Sequence, residues 1–125
     1  MMSLGAQALD LMLATAQGQL NTAKINWAED HALTVVLATQ GYPGAYQKGS
    51  EIKGLDDLAF DSQQMVFHAG TKQEGTTLRA NGGRVLNVTA RAETLSAAQS
   101  RAYELLEKID WPDGFHRTDI GWRAL

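Results

Sequence analysis

Asn81-Gly82-Gly83-Arg84 combines the two ingredients of an anion site, namely backbone N–H groups free of side-chain cover and a guanidinium. Successive N–H groups in a glycine-rich corner can form a concave nest for an anion. Arginine adds a planar fork that fits phosphate bidentately. A second reading competes with this one. Asn-Gly between alternating apolar runs is the strongest short signal for a hairpin, because a type I′ turn needs positive φ at both central residues. Alternation along the run that follows, Arg-Val-Leu-Asn-Val-Thr-Ala, puts Arg84 on the same side as Leu86, Val88 and Ala90. A guanidinium heading an apolar face must reach water, a carboxylate or a bound anion. Asp119 is an acidic residue that would serve as the carboxylate.

Other reactive groups are sparse. His31, His68 and His116 are far apart and lack the i, i+4 spacing of a helical metal site. His68 stands before a glycine in Phe-His-Ala-Gly-Thr, where a lone histidine reads first as a capped structural residue. Thr71 sits close enough in sequence to hydrogen-bond beside it, or simply to close the turn. Asp56-Asp57 is adjacent on an extended stretch, so the two carboxylates point apart and read as a solvated turn. No phosphate loop of the G-x-x-x-x-G-K-[ST] type and no G-x-G-x-x-G fingerprint occurs. Neither does a Gly-x-Ser-x-Gly elbow. The three tryptophans, Trp27, Trp111 and Trp122, lack interleaved basic residues and read as packing anchors rather than a base-stacking platform. Residue chemistry alone assembles no complete catalytic apparatus.

The elements that must position Arg84 follow from composition and pattern. The chain has 125 residues, 44% hydrophobic and 20% charged, which suits one globular domain with its own core. There is no cysteine, which removes disulfides, thiolate zinc sites and a cysteine nucleophile. A net charge of −3 lacks the basic footprint of a nucleic-acid binder. No apolar run approaches the ~20 residues that span a bilayer, and no secretory signal opens the chain. Neither nucleic acid nor membrane is therefore expected as a partner. The doubled methionine suggests an expression scar or a flexible start over residues 1–5, with a single domain at 6–125.

Residues 6–18 read as a helix with Ala6, Leu9, Leu13 and Ala16 on one stripe, ending at Gly18. Residues 21–30 form a connector or strand edge. Residues 31–39 are nearly continuously apolar and β-branched, as in a buried strand. Residues 41–55 hold four glycines and a proline and must be mainly loop, with a helical turn expected just after, around 56–63. Residues 65–71, 76–80 and 84–90 read as short strands, the last two joined through Asn81-Gly82-Gly83. Residues 94–109 make the best helix, with Thr94 as N-cap and an apolar face of Leu95, Ala98, Ala102, Leu105, Leu106 and Ile109. A helix, a run of strands and a second helix give an α+β fold, mainly antiparallel, with helices packed on one face.

Five segments in this order, Val-Val-Leu-Ala-Thr-Gln-Gly-Tyr-Pro-Gly-Ala-Tyr-Gln-Lys-Gly, Val-Phe-His-Ala-Gly-Thr, Asn-Gly-Gly-Arg-Val-Leu-Asn-Val-Thr-Ala, Arg-Ala-Tyr-Glu-Leu-Leu-Glu-Lys-Ile and Arg-Thr-Asp-Ile-Gly-Trp-Arg-Ala-Leu, resemble the C-terminal domain of the phosphoribosylamine–glycine ligase family. The resemblance covers residues 6–125. It implies an ATP-grasp ligase of purine biosynthesis, cytoplasmic, whose C-terminal part is a rudimentary single-hybrid-motif-like domain. Such an enzyme joins glycine to 5-phosphoribosylamine with ATP and magnesium. Those cofactors would be bound by upstream domains of the same chain, leaving this piece inactive alone and without catalytic residues. By the resemblance, Arg84, with Gly82 and Gly83 leaving space, would hold the ribose phosphate. His68, Gly70 and Thr71 would lie on the neighbouring strand end as further substrate contacts, and Asp119 would orient a basic group. Ala92 and Thr118 depart from the family pattern, which commonly has glycine and a basic residue there. The alternative is a free-standing, non-catalytic α+β module that binds an anionic metabolite or a protein.

Overall fold

The apolar run from His31 to Thr39 is a strand over its whole length. The computed structural model describes residues 2–125, so the first methionine of the doubled start lies outside the described residues. In chain order the elements are α1 (Ala8–Ala16), β1 (His31–Thr39), β2 (Glu51–Ile52), β3 (Gln64–His68), β4 (Thr71–Glu74), β5 (Thr77–Ala80), β6 (Arg84–Ala92), α2 (Leu95–Glu107) and β7 (Gly114–Phe115). Short 3-10 turns occupy Met2–Gln7, Leu20–Thr22 and Trp122–Ala124. All strand pairs are antiparallel, in a four-stranded sheet of order β3-β6-β1-β7 and a three-stranded sheet of order β2-β5-β4. The α+β class holds.

Register explains the core. Leu33, Val35 and Leu37 of β1 lie opposite Ala90, Val88 and Leu86 of β6. Alternation sends these pairs to one face, where they join Ala98, Ala102, Leu105 and Leu106 of α2 in one buried cluster. The small alanines let the helix approach the sheet closely. Thr94 caps α2 as expected, its side-chain oxygen accepting from the Ala97 N–H at 3.2 Å. Ile52, Ala80 and Trp111 extend the cluster towards the second sheet, and the Trp111 indole N–H is satisfied by Ser50 Oγ at 2.9 Å.

Four expectations need correction. First, Asn81-Gly82-Gly83 is not a hairpin turn. β5 and β6 belong to different sheets, and neither Asn81 nor Gly82 has positive φ. The segment is a crossover between sheets. The hairpin lies one strand earlier, where β4 meets β5 through Gly75-Thr76, with Gly75 at φ 60 supplying the positive φ. Second, the side of Arg84 is not set by simple alternation. The β1–β6 register slips between Leu37 and Ala38, so Val85 is an extra residue with no partner of its own. Val85 and Leu86 are both fully buried, while Arg84 is exposed. Third, the apolar stripe of α1 faces outward. Leu9, Met12 and Leu13 are exposed, and α1 buries no residue fully. It packs on the adjoining 3-10 turns, and α2 is the helix that covers the sheet. Fourth, residues 56–63 form turns and extended chain, with no helical element.

Candidate functional site

Three chain segments meet at the head of β6. The end of β3 runs through Ala69 and Gly70, whose N–H groups both donate to the Val85 carbonyl, at 3.0 and 3.2 Å. The crossover enters beside it, with the Asn81 N–H donating to the Gly70 carbonyl at 2.7 Å. The end of β1 closes the third side. The Thr39 N–H donates to Gly83 O at 2.8 Å, and Thr39 Oγ1 donates to Gly82 O at 2.7 Å. The crossover carbonyls are thus taken by β1. Among the described residues, the Gly82 and Gly83 N–H groups have no protein acceptor.

The glycines here have steric reasons. A Cβ on Gly70 would come within 2.6 Å of the Arg84 carbonyl and 2.8 Å of Gly82 Cα, so the two glycine backbones touch. A Cβ on Gly83 would enter the ring of Tyr42, only 3.0 Å from Cγ. Tyr42 in turn stands edge-on to Tyr46, with centroids 6.0 Å apart. Gly70 and Gly82 therefore let strand ends from two sheets converge, and Gly83 seats an aromatic ring beside the corner. Tyr42 and Thr39 were invisible to sequence reasoning as parts of this corner, because nothing local links a Gly-Tyr-Pro-Gly loop to glycines forty residues on.

Arg84 stands apart from the other arginines. Arg79 donates to Glu74 at 3.0 Å and to the Gly49 carbonyl at 2.8 Å. Arg91 forks onto both oxygens of Asp30 at 2.8 and 2.7 Å. Arg101 donates to Gln63 and the Arg91 carbonyl. Arg123 lies over the Trp122 ring at 5.2 Å. Arg117 forks onto Asp119 at 2.8 and 2.6 Å. That hydrogen bond, with the attraction of the guanidinium, holds the Asp119 carboxyl below its ordinary value despite some opposing desolvation. Asp119 is thus the partner of Arg117 and not of Arg84. Among the described residues, the Arg84 side chain has no hydrogen-bond or ion-pair partner.

The remaining expected residues are near but not all in one hollow. His68 Nδ1 and Thr71 Oγ1 are 3.0 Å apart across the β3–β4 turn, so the pair fixes the imidazole beside Gly70. His68 also lines a cleft of about 530 Å³ with Asp56, Asp57, Gln73 and Leu78. A second cleft of about 570 Å³ is lined by Thr39, Tyr46, Lys48, Ser50 and Asp113, and abuts the corner through Thr39. Arg84 lines neither. Its side chain is exposed at the head of β6.

A family profile described as phosphoribosylglycinamide synthetase, C domain, matches residues 32–123. The chain belongs to that family. It is 53% identical over 125 residues to a phosphoribosylamine–glycine ligase of Mesorhizobium japonicum, covering all of this chain and 29% of that protein. It is 46% identical over 128 residues to the chloroplastic phosphoribosylamine–glycine ligase of Arabidopsis thaliana, covering all of this chain and 24% of the relative. The crystal structure of phosphoribosylamine–glycine ligase from Thermotoga maritima superposes with a TM-score of 0.68 at 32% identity, over 87% of this chain and 27% of that one. The synthetase C-domain chain described here thus spans less than a third of the length of these relatives. No helix among the described residues is long and apolar enough to cross a membrane.

Proposed function

We propose that this chain is the C-terminal domain of an ATP-dependent carbon–nitrogen ligase of purine biosynthesis, acting in the cytoplasm. The ligase joins glycine to 5-phosphoribosylamine and forms glycinamide ribonucleotide, ADP and phosphate. Residues 6–125 supply a substrate-side wall of the cleft. Arg84 grips the ribose phosphate, the Gly82 and Gly83 N–H groups add donors, and His68, Gly70 and Thr71 border the same end of the sheet. One observation carries the reading: Arg84 is an exposed, unpartnered guanidinium beside open glycine backbone in a member of the synthetase C-domain family.

The substrate is held at one end and reacts at the other. Fixing the phosphate sets the amine for attack on the activated glycine carboxyl, and such positioning lowers the entropic part of the barrier by several kcal/mol, up to about 7–11 in ideal cases. ATP supplies the carboxyl activation. Magnesium accompanies the nucleotide through its phosphates and one or two carboxylates. Upstream domains hold both.

Shift mapping by NMR tests the assignment. Titrating glycinamide ribonucleotide into the 125-residue chain should bind weakly and move amide signals at Gly82 to Arg84 first, then His68 to Thr71. Shifts concentrated along α2 instead would remove it.

A further inference from the structure

We propose that residues 2–30 are an interdomain docking surface, whose outward α1 stripe seats against an apolar flank of the polypeptide preceding the C domain. The inference rests on the reading of this chain as part of a longer ligase. Leu9, Met12 and Leu13 are 73%, 56% and 53% exposed, and Trp27 is 68% exposed. Helical spacing puts Leu9, Met12 and Leu13 on one face of α1, and Asp10 is the sole charged residue from position 2 to 23. A solvated face would carry charge there. Propensity alone does not sustain α1 either, because isolated helices under about 12–15 residues are marginal in water and this one has nine.

The segment is nonetheless ordered by its own bonds. The Gln7 side chain donates to Asn26 O at 2.6 Å and accepts from Asn26 N–H at 2.9 Å. Ala28 N–H donates to Ser3 O at 3.2 Å. Asp30 then ties the segment to β6 through Arg91. These bonds tie the stretch before α1 to the stretch before β1, while α1 packs on the 3-10 turns and leaves its stripe exposed. Its occupant follows from two boundaries. The C-domain profile begins at residue 32, yet ligases three to four times longer align with all of this chain. Residues 2–30 therefore align with the ligases while preceding the matched C-domain segment, on the side of the chain that leads into the rest of the ligase. An apolar counter-surface on that preceding domain is the partner whose chemistry matches.

Hydroxyl-radical footprinting read by mass spectrometry tests this at Met12, which oxidises readily when exposed, and at Trp27. In the 125-residue chain both should oxidise at rates independent of protein concentration. In the intact ligase both should oxidise at least several-fold more slowly, and Leu13→Glu should restore the fast rate while leaving the far-ultraviolet spectrum unchanged. Equal rates in the two proteins would overturn the proposal. So would protection of the 125-residue chain that rises with concentration, since that assigns the stripe to a second copy. The underlying ligase reading fails differently, by a native product no longer than these 125 residues.

Discussion

Replacing Gly83 by alanine puts a methyl group into the ring of Tyr42, with Cγ only 3.0 Å away. Gly83 does not have positive φ, so backbone strain plays no part and the whole cost is steric. Overpacking of this kind costs about 1–3 kcal/mol. Taking about 2 kcal/mol, a domain of this size should lose about 6–10 °C in thermal midpoint. The obstacle is a side chain, so removing it should remove the cost. In a double-mutant cycle read by thermal and urea denaturation, Gly83→Ala should be destabilising alone and nearly neutral in a Tyr42→Ala background. The coupling should fall at about 1–2 kcal/mol. Equal losses from Gly83→Ala with and without the Tyr42 ring would refute the packing account of the corner.

Gly70→Ala behaves differently, because the added Cβ meets backbone at Arg84 O and Gly82 Cα. It should cost about 1–3 kcal/mol in either Tyr42 background, and rescue by Tyr42→Ala would contradict the geometry. Thr94→Ala removes the cap of α2 and should cost about 0.5–2 kcal/mol, with Thr94→Ser close to wild type; denaturant midpoints decide it. Hydrogen bonds from Arg91 outweigh the opposing desolvation and, with the attraction of its charge, lower the Asp30 carboxyl from its ordinary 3.8. A lowered carboxylate adds stability that is complete above that ordinary value and is lost as pH falls through the lowered one. Asp30→Asn should therefore lower the thermal midpoint at pH 7, and its difference from wild type should shrink progressively below about pH 4. A difference that stays constant down to pH 2 would show that the ion pair contributes nothing.

Local signals were legible wherever one segment decided its own structure. The β-branched run at 31–39 and the capped apolar helix after Thr94 formed as the pattern indicates. What sequence could not show was decided by partners far along the chain. Asn-Gly carries a hairpin signal, but β5 pairs with β2 and β4, so the signal has no hairpin to close and the glycines serve contact with Gly70 and Tyr42. Alternation failed at Arg84 because one extra residue, Val85, shifts the phase, and a bulge leaves no mark in a single sequence. The stripe on α1 was correctly apolar, yet periodicity does not say what covers it. Arg84 itself was singled out from its company of glycines; its lack of a protein partner emerged only when the other five arginines had been placed.

Steady-state kinetics of the intact ligase with Arg84→Ala test the central claim most directly. A charge-assisted hydrogen bond to phosphate is worth about 1.5–3 kcal/mol, which is about 10- to 100-fold in kcat/KM for phosphoribosylamine. The loss should appear mainly as a raised KM for that substrate, with the KM for ATP close to wild type and Arg84→Lys recovering part of the activity. Unchanged kinetics towards phosphoribosylamine, or an equal loss for ATP, would contradict a phosphate grip at this corner.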